Sequence, residues 1–122
     1  INLMGLFTMP QCDNPFILAK SLVENLQSQG IKHIFCDFHA ESTAEKRIMF
    51  MIIKDYISAM CGTHTHVGTD DMQIVNNALY LTDIGLTGCF DNIIGMDSAV
   101  PIKKALTGLG GYFKIPTNCS SI

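Results

Sequence analysis

The order of strands and helices in the first third of the chain most constrains its fold. Residues 1–7, "INLMGLF", are apolar and strand-like, and a run of turn formers follows them. In "NPFILAKSLVENLQSQG" Asn14 can cap a helix, Pro15 suits its first position and Gly30 can end it. "IKHIFCDF" is again β-rich, and its weak alternation predicts burial on both faces. Strand, helix and strand in this order predict a parallel-sheet unit.

The rest of the chain continues this pattern. "STAEKRIMFMIIKDY" opens with the spacing of a capping box, Ser42 to Glu45, and predicts a second helix before the buried strand "ISAMC". "MQIV" and "ALYLT", separated by Asn76 and Asn77, predict a hairpin. "DIGLTGCFDNIIGMD" predicts an ordered loop, "SAVPIKKALTGLG" a short helix and "GYFKI" a last strand. We therefore predict an α/β fold with a mixed sheet.

Composition limits the class of protein. A chain of 122 residues is long enough for about one domain. Its 16% of charged residues and net charge of −3 argue against disorder and against strong electrostatic binding of nucleic acid. The longest uncharged apolar run, "IMFMII", is too short to cross a bilayer, and no signal sequence precedes the first strand, so we expect a cytoplasmic protein without membrane contact. The five cysteines have no CxxC spacing and predict small buried hydrophobes rather than disulfides or a thiolate zinc site: Cys12, Cys36, Cys61, Cys89 and Cys119.

Two histidines one residue apart, His64 and His66, directly follow the predicted strand "ISAMC" in "CGTHTHVGTDD". In an extended segment residues two apart point the same way, so we expect both to face one site and Thr65 to face away. The carboxyl ends of parallel strands are where α/β sheets bind ligands. Alone, the pair is as compatible with a metal site as with two hydrogen-bonded loop histidines.

A third histidine, His39 in "CDFHAES", also follows a predicted buried strand. A right-handed crossover would place the two strands side by side, so the three histidines would converge. Imidazoles suit zinc, iron or manganese, and three of them around an open position are typical of hydrolytic sites. His33, on the preceding segment, is expected to be structural or on the surface.

Carboxylates are the weak point of this site. We expect Asp37 to alternate away from His39, and Glu41 to cap or begin a helix. Four further aspartates could line the pocket or merely stabilise turns: Asp70, Asp71, Asp83 and Asp91. Two hard divalent ions need more oxygen ligands than this set supplies.

Four motifs in order, "FCDFHAESTAEK", "GTHTHVGTDD", "YLTDIGLTG" and "DNIIGMD", resemble the C-terminal half of the YmdB-like branch of the calcineurin-like metallophosphoesterases. The resemblance implies half of a four-layer α-β-β-α sandwich, hydrolysis of phosphodiesters such as 2′,3′-cyclic nucleotides, and a homo-oligomer. The family's N-terminal motifs, with further metal ligands and the general-acid histidine, do not occur here. We therefore expect residues 1–122 to form one segment, the C-terminal half of a longer protein, inactive without its N-terminal half.

The resemblance also implies roles for individual residues. His39 and His64 would hold one of two divalent metal ions and His66 the other, with iron or manganese as the metal and magnesium or zinc as alternatives. A hydroxide bridging the two ions would attack phosphorus. The segment would also supply residues to the substrate pocket: Glu41, Thr65, Thr87 and Gly88.

Two other interpretations compete with this one. Amidohydrolases also bind metal through such a histidine pair after a strand, but they need eight βα units and carry the pair near their start. From a different class, the chain could be a non-catalytic assembly or interaction module that keeps the histidines by descent, with an exposed sheet edge that binds a partner. That alternative predicts that His39 turns away from the other two histidines.

Overall fold

The structure, a computed structural model, describes residues 1–117 and 119. The chain divides into two compact units, Ile1–Gly85 and Leu86–Ile122. The first contains a mixed sheet and two helices, and the described part of the second contains one helix.

The sheet of the first unit has five strands in the order β1-β2-β3-β5-β4. By residue, the strands are β1 Asn2–Met4, β2 Phe35–His39, β3 Ala59–Thr63, β4 Gln73–Val75 and β5 Ala78–Leu81. All neighbours pair in parallel except β4 and β5, which are antiparallel. This confirms the predicted mixed sheet and the pairing of β2 with β3, in which His39 lies opposite Thr63.

Helix α1, Pro15–Ser28, begins and ends as its sequence predicts. The side-chain oxygen of Asn14 accepts hydrogen bonds from the backbone N–H groups of Phe16 and Ile17 at 2.9 and 3.3 Å. These bonds satisfy two of the donors that a helix start leaves without a partner. The apolar stripe of α1 then packs Ala19 and Val23 into the core.

Helix α2, Thr43–Ile53, follows the predicted cap, because Ser42 Oγ accepts from the backbone N–H of Glu45 at 3.5 Å. The reciprocal half of the capping box is absent among the hydrogen bonds described. The Glu45 carboxylate instead accepts from the backbone N–H groups of Leu6 and Phe7, at 2.8 and 3.1 Å. Glu45 thus ties the loop after β1 to the start of α2.

The two faces of the sheet differ in burial. Cys36 and Phe38 of β2 are fully buried and belong to the same apolar core as residues of α1 and α2. On the opposite face of β2, Phe35 is 53% exposed and Asp37 and His39 are half-buried. The prediction that this strand is buried on both faces is therefore wrong for the described chain, because both helices pack against one face only.

The hairpin between β4 and β5 confirms its sequence signal. Asn76 and Asn77 have φ angles of 51° and 69°. Positive φ at both central residues is the geometry of a type I′ turn, whose twist matches that of the flanking strands.

In the second unit, helix α3, Ala99–Thr107, is the predicted short helix. Gly108, at φ +73°, closes it by donating its backbone N–H to the carbonyl of Lys104 at 2.9 Å. The predicted last strand, residues 111–115, is wrong: this segment is irregular, and Tyr112 is 95% exposed. An apolar run of five residues becomes a strand only beside another strand, and the described part of this unit has none.

The cysteines agree only in part with the prediction of buried thiols. Cys36 and Cys89 are buried and Cys61 is half-buried, but Cys12 and Cys119 are exposed. Burial raises the pKa of the Cys36 thiol to about 11, so it is protonated and unreactive at neutral pH. Among the described residues, none of the helices has the length and apolar character that crossing a membrane requires.

Candidate functional site

Two of the three predicted histidines meet at the carboxyl edge of the sheet. His39 is the last residue of β2, and His64 immediately follows β3, its parallel neighbour. His39 Nε2 and His64 Nδ1 are 3.1 Å apart, and the two rings stand nearly perpendicular, at 80°. Parallel pairing of β2 and β3 therefore brings the two imidazoles together, whereas His33 is exposed and away from this edge.

The spacing of these two nitrogens fits a shared metal ion. For metal–nitrogen bonds of about 2.0–2.1 Å, two neighbouring ligand atoms on one ion are separated by about 2.9–3.4 Å. The 3.1 Å between His39 Nε2 and His64 Nδ1 lies inside that range, and it equally suits a hydrogen bond between the two rings when no ion is bound. Imidazole nitrogens are also suitable donors for iron, manganese and zinc. Two ligands do not make a complete site, however, and no group of three or more His, Cys, Asp or Glu side chains in residues 1–117 and 119 has the spacing of one.

The backbone at His64 and His66 is not extended. β3 ends at Thr63, and His64 and His66 have φ angles of 105° and 64°. The alternation from which we expected both to face one site therefore does not apply here. A side chain other than glycine in such a conformation costs about 1–3 kcal/mol, and residues of this kind cluster at functional sites. His64 is half-buried against His39, while His66 is exposed.

Asp37 lies on the same face as His39, so the expectation that it points away is wrong. The reason is that residues two apart in a strand share a face. Thr63 donates its hydroxyl proton to Asp37 Oδ1 at 2.8 Å, and the same Thr63 oxygen lies 3.0 Å from His39 Nδ1. The other oxygen of Asp37 accepts from the Asn2 side chain at 2.7 Å. A chain of hydrogen bonds thus runs from β1 to the His39 ring.

Glu41 reaches the second histidine. Its Oε2 lies 3.2 Å from His64 Nε2, the ring nitrogen that does not face His39. The side chains of His64 and Glu41 are 34% and 49% exposed, so water screens this contact. The structure thus gives Glu41 a contact with a candidate ligand, and its predicted place in the substrate pocket stays a prediction.

A buried ion pair supports the loop after β3. Lys46 Nζ and Asp83 Oδ2 are 2.8 Å apart, and their side chains are 0% and 1% exposed. Asp83 also accepts from the backbone N–H groups of Thr65 and Gly85, at 3.1 and 2.9 Å. Burial alone would raise the pKa of Asp83, but the hydrogen bonds from Lys46, Thr65 and Gly85 outweigh it and hold that pKa below its ordinary value. Asp83 thus fixes the backbone between His64 and His66.

Gly62 makes room for this arrangement. A Cβ at Gly62 would lie 1.8 Å from the carbonyl oxygen of Thr82 and 2.7 Å from Cδ of Lys46. Only glycine therefore lets β3 pass this close to the segment that carries Asp83. Lys46 is not among the predicted site residues, although its position on α2 falls on the apolar stripe with Met49 and Ile53.

The remaining predicted residues contribute differently. Asp71 ties the segment before β4 to the end of β5, because it accepts hydrogen bonds from the Thr69 hydroxyl at 2.6 Å and from the backbone N–H of Thr82 at 3.1 Å. Thr65 is half-buried and tied to Asp83. Three predicted residues belong to the second unit, and their roles stay predictions: Thr87, Gly88 and Asp91.

Comparison with known proteins gives consistent results. A family model described as YmdB-like protein matches residues 1–121. The chain is 40% identical over 116 residues to the 2′,3′-cyclic-nucleotide 2′-phosphodiesterase of Bacillus subtilis, covering 94% of this chain and 44% of that protein.

Two crystal structures are also similar. A hypothetical protein from Thermus thermophilus has a TM-score of 0.88 at 32% identity, covering 97% of this chain and 46% of its own. A novel phosphatase from Mycoplasma pneumoniae has a TM-score of 0.85 at 31% identity, covering 95% and 42%. These similarities confirm the α/β fold. The chain spans less than half the length of each of these relatives.

Proposed function

The chain belongs to the YmdB-like family, and from this premise we propose that the complete protein hydrolyses phosphodiesters with the help of divalent metal ions. The observation that carries the proposal is the 3.1 Å approach of His39 Nε2 to His64 Nδ1 at the carboxyl edge of a parallel sheet. Relatives named as a cyclic-nucleotide phosphodiesterase and as a phosphatase support the reaction class.

In this proposal His39 and His64 hold one ion, and His66 contributes to a second. Iron or manganese suits imidazole ligands, with zinc or magnesium as alternatives. Bound divalent ions polarise a phosphoryl oxygen and activate water for attack. The contribution of this chain is to hold the imidazoles in place, which the Lys46–Asp83 pair supports by fixing the loop between His64 and His66.

The missing ligands and the general acid come, in our proposal, from an N-terminal half of the same protein. The face of the sheet opposite α1 and α2 supports this idea, because it carries the exposed ring of Phe35 and half-buried Cys61, Leu79 and Leu81. An apolar sheet face of this kind is stabilised by a second layer. A second sheet packed there would complete a four-layer α-β-β-α sandwich, with residues 1–122 as its C-terminal half.

The substrate class proposed is a phosphodiester, with 2′,3′-cyclic nucleotides as the first candidates because the Bacillus subtilis relative is named for them. The residues proposed to line the substrate pocket are Glu41, Thr65, Thr87 and Gly88. A cytoplasmic location and a homo-oligomeric state belong to the same proposal and rest on the resemblance.

A non-catalytic assembly module is the second candidate function. It predicts that His39 turns away from His64 and His66. The contact between the His39 and His64 rings instead favours the enzymatic proposal.

Mutants of the complete protein test the proposal. We expect His39→Ala and His64→Ala to lose hydrolysis of bis-p-nitrophenyl phosphate and of 2′,3′-cyclic AMP in the presence of Mn²⁺, because each change removes a ligand. His33→Ala is the matched control, since His33 is exposed and should leave activity unchanged. Full activity of either ligand variant would contradict the proposal.

A further inference from the structure

We propose that Asp37 and Thr63 are positioning residues that fix His39 in the tautomer with its proton on Nδ1, so that Nε2 is the atom offered to a metal ion. This inference deepens the proposed function and rests on it. It concerns residues that the resemblance does not assign.

The direction of each hydrogen bond follows from the chemistry of the groups. A carboxylate only accepts, so the Thr63 hydroxyl must donate its single proton to Asp37 Oδ1, 2.8 Å away. The Thr63 oxygen then has only lone pairs to offer His39 Nδ1, at 3.0 Å. His39 Nδ1 must therefore carry the proton of that bond.

A neutral imidazole has one ring proton, so a proton on Nδ1 leaves a lone pair on His39 Nε2. Nε2 is the atom that lies 3.1 Å from His64 Nδ1, at the position where a shared ion fits. Outer hydrogen bonds of this kind orient metal-binding histidines in proteins and select their tautomer. Without the Thr63 hydroxyl, the described contacts of His39 Nδ1 would no longer favour the tautomer with its proton on Nδ1. A proton on Nε2 would then block the atom that binds the metal ion.

The sheet itself aligns these groups. Strand pairing sets His39 opposite Thr63 and Asp37 opposite Cys61 on neighbouring parallel strands. Asn2 of β1 donates to the second oxygen of Asp37 at 2.7 Å and so holds the carboxylate from the other side. Three neighbouring strands thus contribute one member each to a preorganised support for His39.

Glu41 is not part of this proposal. It faces His64 Nε2 at 3.2 Å, but its side chain is 49% exposed, so water can replace it. Asp37 and Thr63 are half-buried and are held within the sheet. We therefore expect Asp37→Asn to weaken Mn²⁺ binding more than Glu41→Gln does.

The tautomer can be read directly by nitrogen NMR. We would label histidines with ¹⁵N in the metal-free complete protein and record long-range ¹H–¹⁵N spectra. The expected result is a proton on Nδ1 of His39 in the wild type and in Thr63→Ser, which keeps the hydroxyl. Thr63→Val keeps the shape of the side chain but removes the hydroxyl, and it should lose this tautomer preference.

Metal affinity provides a second readout. Titration calorimetry with Mn²⁺ should show about 10–100-fold weaker binding in Thr63→Val, the usual effect of losing an outer partner of a metal-binding histidine. Thr63→Ser should bind close to the wild type. Asp37→Asn should resemble Thr63→Val, because an amide can donate to the Thr63 oxygen and release the constraint.

The outcomes separate this inference from the proposed function. A proton on Nε2 of wild-type His39, or unchanged tautomer and Mn²⁺ affinity in Thr63→Val, would overturn the positioning role. If Thr63→Val does not fold, the wild-type spectrum and the Thr63→Ser and Asp37→Asn variants decide. Retention of wild-type Mn²⁺ binding by His39→Ala would instead overturn the proposed function.

Discussion

The two faces of the sheet use the same strands for different purposes. On the covered face, β2 directs Phe38 and Cys36 into an apolar core shared with α1 and α2. On the open face, the same strand directs Asp37 and His39 toward Thr63 and His64. A period of two residues thus separates the part of the molecule that stabilises it from the part to which we assign chemistry.

The ion pair on the covered side should produce one of the two largest effects. Lys46→Met would leave Asp83 buried without its partner, and breaking a buried pair in this way costs about 3–5 kcal/mol. Urea unfolding measures the change in the free energy of unfolding. The matched control is Lys54→Met, because Lys54 pairs with the exposed Asp55 at the surface and should change stability little. Equal effects of the two substitutions would contradict the assignment of Lys46 and Asp83 as a buried ion pair that stabilises the fold.

Two phenylalanines of β2 test the comparison of faces within one strand. Phe38→Ala removes a fully buried ring and should cost about 3–5 kcal/mol of unfolding free energy. Phe35→Ala removes a ring that is 53% exposed in this chain. In the complete protein a second layer over this ring would make its removal cost about 2 kcal/mol or more. A cost well below that value would argue against a second layer packed on this face of the sheet.

The pH dependence of stability should report on Asp83. Because the folded-state pKa of Asp83 is lowered, its hydrogen bonds stabilise the fold fully above the unfolded pKa of about 3.9. This contribution is lost as the pH falls through the lower folded value. Unfolding midpoints measured between neutral pH and the acid limit should therefore fall with acid, and the part due to Asp83 should be absent in Asp83→Asn. An identical acid profile in that variant would refute the role.

The smallest effect is expected at Glu41. Its contact with His64 is exposed, and exposed pairs contribute about 0–1 kcal/mol, so Glu41→Gln should change the unfolding free energy by no more than this. Its effect on Mn²⁺ affinity, measured by calorimetry, should also be smaller than that of Asp37→Asn. A larger effect than Asp37→Asn would move the principal support of the site from β2 and β3 to the loop after β2.

Local signals predicted most of the fold. The Asn14 cap, the Asn76 and Asn77 turn and the strand-helix-strand order each act over a few residues, and each is present in the structure. The strand predicted for residues 111–115 is absent, because a strand forms only beside a neighbouring strand, and the apolar run does not reveal whether one is present. The pairing of β2 with β3, and with it the meeting of His39 and His64, followed from topology.

Details of the site were harder to predict. The left-handed backbone at His64 depends on tertiary contacts such as the hydrogen bond from Thr65 to Asp83, which no local pattern specifies. Lys46 looked like an ordinary helix residue, although a lysine on an apolar stripe is a sign of a buried partner. Asp37 was misplaced although the period of a strand puts it beside His39.

The central claim is that His39 and His64 share one metal ion. Crystals of the complete protein grown with Mn²⁺ and measured at the manganese absorption edge would locate the ion by anomalous scattering. We predict an anomalous peak bonded to Nε2 of His39 and Nδ1 of His64. Crystals that bind Mn²⁺ elsewhere and show no anomalous peak at these two nitrogens would contradict the account.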